Sequence, residues 1–137
     1  MAWQGGCACG AVRYEVDGPG FNRTLCHCID CRRASGAPAL AWFSVAVTAL
    51  RWTHGMPAFR RSSFHARRAH CAACGTQLAW QGDDHPEEID LATATLDDPA
   101  LAPPADHTFV SQRLAWLKLD DGLPAYARTR AEGSAPG

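Results

Sequence analysis

The sequence has almost no net charge, no long apolar run and few segments with a helical period. Its 137 residues include 13 Lys and Arg against 14 Asp and Glu, a formal net charge of −1. This balance gives no electrostatic reason to expect nucleic acid or an anionic membrane as a partner. No apolar run approaches the roughly 20 residues that span a bilayer, and residues 1–6 lack the pattern of a signal peptide. We therefore expect a cytoplasmic protein that binds neither membrane nor nucleic acid.

Cysteine, in contrast, is abundant, with seven in the chain. Thiols stay reduced in the cytoplasm, where disulfides are rare. A disulfide framework also usually needs an even number of cysteines. Metal ligation is therefore the better interpretation, with a set of merely buried thiols as the alternative.

The length and the hydrophobic pattern predict one β-rich domain. A chain of this size buries roughly 68% of its unfolded surface. Apolar and polar residues alternate over 12–17, as in a half-buried strand. Further strand candidates are 40–47, 59–64, 77–81 and 88–96, and the one helix candidate is 29–34. We expect an all-β fold of short antiparallel sheets over residues 1–126, with at most a short helix after Cys28 and a flexible tail over 127–137.

The cysteines form three groups with the close spacing of zinc ligands: Cys7-x-Cys9, Cys26-x-Cys28-x-x-Cys31 and Cys71-x-x-Cys74. Zinc binds thiolates in a tetrahedron, with four protein ligands in a structural site and three in an open catalytic site. The central three lie within six residues and can surround one ion. The outer pairs are then left to each other and would close a loop of some sixty residues.

A zinc ion with three thiolates carries a net charge of −1 and suits a further thiolate, because sulfur is a soft ligand. A thiol bound there would lose its proton near neutral pH and become a nucleophile. His70 is the alternative fourth ligand, whereas His27 points away from the metal if both of its neighbours bind. A surface position, or one that supports the ligands, is the more frequent role for such histidines.

Three segments carry a resemblance to a known family. They are residues 5–14 with Cys7 and Cys9, residues 26–36 with the central three cysteines, and residues 70–78 with Cys71 and Cys74. The segments 95–99 and 107–124 agree. Together they resemble the glutathione-dependent formaldehyde-activating enzyme family, which also includes centromere protein V. The similarity covers about residues 3–126.

The resemblance implies an Mss4-like β fold, two zinc ions and carbon–sulfur lyase activity. It assigns a structural zinc to Cys7, Cys9, Cys71 and Cys74, and a second, catalytic zinc to Cys26, Cys28 and Cys31. The implied substrates are a small thiol, glutathione or one like it, and an aldehyde such as formaldehyde. The implied product of that pair is S-hydroxymethylglutathione.

The residues leave several alternatives open. Six arginines near the cysteines could bind substrate carboxylates or balance the anionic zinc clusters: Arg32, Arg33, Arg60, Arg61, Arg67 and Arg68. Trp42, Trp80 and Trp116 could line a pocket or pack in the core. The protein could also be a non-catalytic zinc-binding interaction module, or a thiol or metal sensor, since an open three-thiolate site is oxidisable.

Overall fold

Ten β-strands and one α-helix form the part of the chain that the computed structural model describes, residues 2–133. The strands are β1 Ala2–Gly6, β2 Arg13–Asp17, β3 Phe21–Cys26, β4 Leu40–Ala46, β5 Leu50–His54, β6 Ala58–Arg61, β7 Ala66–His70, β8 Gln77–Gly82, β9 Glu88–Ala92 and β10 Asp106–Thr108. The helix α1 is Ile29–Ser35. Short 3-10 turns occupy Val47–Ala49, Thr93–Thr95, Pro99–Leu101, Val110–Gln112 and Arg130–Glu132.

The strands form two sheets. The smaller has the order β1-β2-β5, and the larger has the order β10-β3-β4-β9-β8-β7-β6. All neighbours within the sheets are antiparallel except β3 and β10, which run parallel. The predicted β-rich class with one short helix after Cys28 is confirmed.

The larger sheet has an apolar face and a face that carries cysteine. Phe43 and Leu91 are fully buried and pack with Tyr14 and Val16 of the smaller sheet in the main core. Trp42 precedes Phe43 in β4, so its side chain points to the opposite face. There it packs with Cys26, Cys31 and Ala92 in a second buried cluster. The fold thus buries Cys26 and Cys31 outside the main core.

The helix α1 begins and ends where its flanking residues dictate. Cys28 is the N-cap, and its sulfur accepts a hydrogen bond from the Cys31 amide. Gly36 ends the helix with φ 69°, a left-handed conformation that glycine adopts at no steric cost. The predicted helix over 29–34 is confirmed and extends one residue further, to Ser35.

Several predicted strands lie where expected, but two are too long. Strand β6 ends at Arg61, so residues 62–64 are not extended, and β9 ends at Ala92. Leu91, Ala92 and Thr93 are buried one after another, which breaks the period of two and leads into a 3-10 turn. Five strands were not predicted: β1, β3, β5, β7 and β10. Their polar and charged residues hide the alternation, as the sequence Ala-Arg-Arg-Ala-His of β7 illustrates.

The segment predicted as a flexible tail, residues 127–137, has contacts in its first part. The amide of Ser111 donates to the Ala127 carbonyl at 3.1 Å, and the amide of Phe109 donates to Arg128 at 2.9 Å. Arg130 pairs with the buried Asp106 carboxylate. Residues 134–137 lie outside the described residues, and the single domain over 1–126 stays a prediction. Within the described residues no helix is long and apolar enough to cross a membrane.

Candidate metal centres

The first cluster consists of Cys7, Cys9, Cys71 and Cys74, whose sulfurs all lie within 4.8 Å of one another. Cys7 and Cys9 occupy the turn between β1 and β2, and the other pair occupies the turn between β7 and β8. The cluster therefore joins the smaller sheet to the larger one. The Cys7–Cys9 and Cys9–Cys71 sulfurs are 3.6 and 3.8 Å apart. Tetrahedral bonds of 2.3 Å to zinc require about 3.8 Å, so this cluster fits the ion.

Backbone amides of the two turns point at these sulfurs. The Val12 amide lies 3.3 Å from the Cys7 sulfur, and the Cys74 amide lies 3.5 Å from the Cys71 sulfur. Gly10 and Gly75 close the turns with φ of 79° and 82°, as expected for such knuckles. The hydroxyl of Thr76, 3.1 Å from the sulfur, lowers the pKa of Cys74 to about 5. These donors favour the thiolates that a metal requires.

The second cluster consists of Cys26, Cys28 and Cys31, also within 4.8 Å of one another. Cys26 ends β3, Cys28 caps α1 and Cys31 lies in the first turn of that helix. Cys26 and Cys31 are buried, and Cys28 is half-buried. The strand-to-helix turn alone gathers the three sulfurs, so the cluster needs no ligand from elsewhere in the chain.

The three thiols of this cluster do not ionise together without a cation. The neighbouring Cys28 and Cys31 thiols raise the pKa of Cys26 far above its ordinary value. Hydrogen bonds with Cys26 and Cys28, with a smaller contribution from Arg68, lower the pKa of Cys31. A divalent cation among the sulfurs would offset the repulsion between the three thiolates and let all of them ionise. The donor set therefore fits a thiolate-bound metal and leaves one tetrahedral position free.

Arg68 supplies a buried positive charge beside this cluster. Only 4% of the residue is exposed, and its Nη2 lies 3.5 Å from the Cys31 sulfur. Its Nη1 donates to Gln77 Oε1 at 2.9 Å. Among residues 2–133 it has no carboxylate within 4.0 Å. Because a buried charge needs a counter-charge, the thiolates are its partners. The net −1 of a three-thiolate zinc centre matches this guanidinium.

A cavity of about 290 Å³ opens against the same three cysteines. The indole rings of Trp42 and Trp80, the ring of Phe109 and the buried guanidinium of Arg68 line it. Asp90 also lines it, and its carboxylate accepts a hydrogen bond from Ser44 at 2.6 Å. A small molecule in this cavity would therefore reach the free position of the second cluster.

The histidines near the cysteines belong to neither cluster within the described chain. His27 is buried, and its Nε2 lies 2.9 Å from His107 Nδ1. His107 Nε2 in turn lies 2.8 Å from the Asp121 carboxylate. These contacts fix the imidazole ring of His27, the residue between Cys26 and Cys28 in the sequence. Spacing alone did not reveal His107 or Asp121, although both lie in the segment 107–124 that carries the resemblance.

The structure separates the six candidate arginines. Of these six arginines, only Arg68 lines the cavity. Arg61 pairs with Asp83, and Arg67 donates to Gln81. Arg32 donates to the Gln112 carbonyl at 3.2 Å. Arg33 and Arg60 are exposed side chains outside the cavity.

The candidate tryptophans also separate. Trp42 and Trp80 line the cavity, as one of the two interpretations expected. Trp116 is 68% exposed and does not line it.

Comparisons with known proteins agree with the geometry. A family model described as "Glutathione-dependent formaldehyde-activating enzyme" matches residues 2–112. A crystal structure of a Rhodobacter sphaeroides protein, a structural-genomics target, is similar with a TM-score of 0.58 and 30% sequence identity. The similarity covers 69% of this chain and 87% of that one. No curated protein matches the chain.

Proposed function

Because the chain belongs to the glutathione-dependent formaldehyde-activating enzyme family, we propose that it catalyses the addition of a small thiol to an aldehyde such as formaldehyde, or the reverse reaction. This is a carbon–sulfur lyase reaction. The observation that carries the proposal is the cluster of Cys26, Cys28 and Cys31, which has three ligands and opens onto a cavity. The family description supports the aldehyde, and the soft ligand set supports the thiol.

We further propose that the chain holds two zinc ions. Cys7, Cys9, Cys71 and Cys74 would hold a structural ion, and Cys26, Cys28 and Cys31 a catalytic one. When bound at the second site, zinc lowers the pKa of a substrate thiol and orients its sulfur. Because the three cysteines line the cavity, a substrate there could reach an ion that they would hold, as a catalytic zinc site requires.

The residues of the chain have distinct roles in this proposal. Arg68 offsets the negative charge of the thiolate centre. Trp42 and Phe109 exclude water from the aldehyde carbon, which otherwise forms a hydrate. In the reaction the sulfur forms a bond to the carbonyl carbon, the carbonyl π electrons move to the oxygen, and the thiol proton ends on that oxygen. No atom is lost, so no co-reactant is needed.

The test compares the zinc-loaded protein with a Cys28→Ser variant. NMR exchange spectroscopy measures the rate of thiol–formaldehyde adduct formation above the spontaneous rate. We expect the wild type to bind two zinc ions and to accelerate the exchange, and the variant to bind one and to lose the acceleration. Arg33→Ala is the matched control, because Arg33 is an exposed residue of the same helix. A variant that lost one zinc but kept the full rate would refute the proposal.

A further inference from the structure

The cavity beside the second cluster continues into an adjoining one, and together they form a single cleft. Both cavities have Thr24, His65, Trp80, Asp90 and Thr108 in their walls. The second cavity, also of about 290 Å³, extends along the turn between β8 and β9. A ligand whose sulfur lies at the cysteines would therefore place its remaining atoms towards Asp90 and this turn.

The cations in the wall of this cleft are already paired. The wall contains two guanidinium groups, those of Arg68 and Arg130. Arg68 faces the Cys31 sulfur and Gln77. Arg130 donates to the Asp106 carboxylate and to Asn22. His65 and His85 are exposed at the rim. Within residues 2–133 the wall thus offers no free guanidinium or ammonium to a ligand carboxylate.

The carboxylates of the wall are mostly unpaired. Five lie there, and one of them, Asp83, forms an ion pair with Arg61. The other four have no ion pair among the described residues: Asp30, Asp84, Glu88 and Asp90. Glutathione, whose two carboxylates outnumber its one ammonium, would meet like charge here with no free cation among the described residues of the wall.

Asp90 is the carboxylate best placed to meet a ligand. It lines both cavities, and its one hydrogen-bond donor within the described residues is Ser44 Oγ. Burial raises its pKa to about 6, against a smaller lowering by the charge of Arg130, which is itself paired with Asp106. Trp80 lies directly opposite Asp90 in the pairing of β8 with β9, so both side chains share one face. A carboxylate beside an indole ring is a typical site for an ammonium group.

We propose that the thiol accepted at the second cluster carries a cationic group, an ammonium, which lies between the Asp90 carboxylate and the Trp80 ring. The inference rests on the proposed function, since it concerns the thiol bound at the same site. It assigns the substrate to aminothiols with a net positive charge rather than to glutathione, in which one ammonium accompanies two carboxylates. Asp90 and Trp80 are then specificity-determining residues.

The experiment measures thiol binding to protein whose zinc has been replaced by cobalt, in which a bound thiolate adds to the sulfur-to-cobalt charge-transfer absorption of the cysteines. The probes are 2-aminoethanethiol and 3-aminopropanethiol, each compared with the alcohol analogue of the same length, and glutathione. Dissociation constants are expressed per free thiolate, so that differences in thiol pKa cancel. A charge-assisted contact contributes about 1.5 kcal/mol or more, so we expect each protein–aminothiol complex that makes it to be at least about tenfold tighter than its neutral analogue.

Two variants locate the preference. Asp90→Asn keeps the acceptor for Ser44 but removes the charge, and we expect the aminothiol preference to fall below about threefold. Glu87→Gln is the matched control, because it removes one exposed carboxylate near the same turn but outside the cleft wall. It should keep the preference. In the wild type, the preference should also weaken as salt is raised, a measurement that needs no variant.

The outcomes separate this inference from the proposed function. If no thiol increases the charge-transfer absorption, the open site does not take a thiol and the proposed function fails. If thiols bind but neither aminothiol is preferred, or glutathione binds tightest, the inference fails while the proposed function stands. If Asp90→Asn and Glu87→Gln lost the aminothiol preference equally, the role assigned to Asp90 would also be overturned.

Discussion

Replacing Arg68 by methionine should weaken zinc binding at the second cluster and leave the first cluster unchanged. Methionine has a similar length and no charge, so the change removes mainly the guanidinium that faces the Cys31 sulfur at 3.5 Å. Taking the two centres of charge as about 5 Å apart, with an effective dielectric constant of about 20, their attraction is about 3 kcal/mol. Solvent that enters the cavity reduces this value. We therefore expect the zinc dissociation constant of this site to rise between about tenfold and a hundredfold.

The assay is competition with a chromophoric zinc chelator, which resolves the two equivalents by their affinity. Arg67→Met is the control, because Arg67 is exposed on the opposite face of β7 and donates to Gln81 at 2.7 Å. It should change neither equivalent. Equal weakening of both equivalents by Arg68→Met, or no weakening at all, would refute the idea that the guanidinium balances the thiolate centre.

Two further predictions concern the rest of the fold. Cys74→Ser should open the link between the sheets, and release of a loop of about 60 residues costs about 4 kcal/mol in the free energy of unfolding. Urea titration with zinc present should show a much smaller loss for Cys28→Ser. Tyr14→Phe removes the 2.8 Å hydrogen bond to Thr95 and should cost about 1 kcal/mol at pH 8. Burial raises the pKa of Tyr14 to about 12, so the stability of the wild type is retained below pH 10 and falls between pH 10 and 12. The difference in the free energy of unfolding between wild type and Tyr14→Phe should close or reverse by pH 11. A difference that stays constant with pH would contradict the raised pKa of Tyr14.

The sequence predicted the cysteine groups better than the sheet around them. Ligands that lie one to three residues apart are brought together by a single turn, so their spacing carries the geometry directly. The grouping of Cys7 and Cys9 with Cys71 and Cys74 was reached by elimination, and the structure places these sulfurs together. Their role as zinc ligands stays a proposal, and so does that of the central three.

What could not be predicted depends on contacts distant in the sequence. Arg67 and Arg68 are adjacent and chemically identical, yet one is exposed and the other is buried. The difference arises from the pairing of β7 with β8, which turns Arg68 towards a cysteine 37 residues away. Asp90 illustrates the same limit. The alternation in β9 showed that Ile89 and Leu91 share a face, but nothing in the sequence showed that the other face lines a cavity.

The two clusters differ in what surrounds them, and this difference argues for their separate roles. Cys9 and Cys74 are exposed, and none of the four cysteines lines the cleft beside the second cluster. Metal there would satisfy four sulfurs, which leaves no position for a substrate. The second cluster lies on one short turn and links no distant elements, so it contributes little to closing the fold. Instead it has a buried cation, aromatic walls and an unpaired carboxylate within one cleft. A charge that is buried at a cost to stability, and that packing does not require, is typical of a site retained for chemistry.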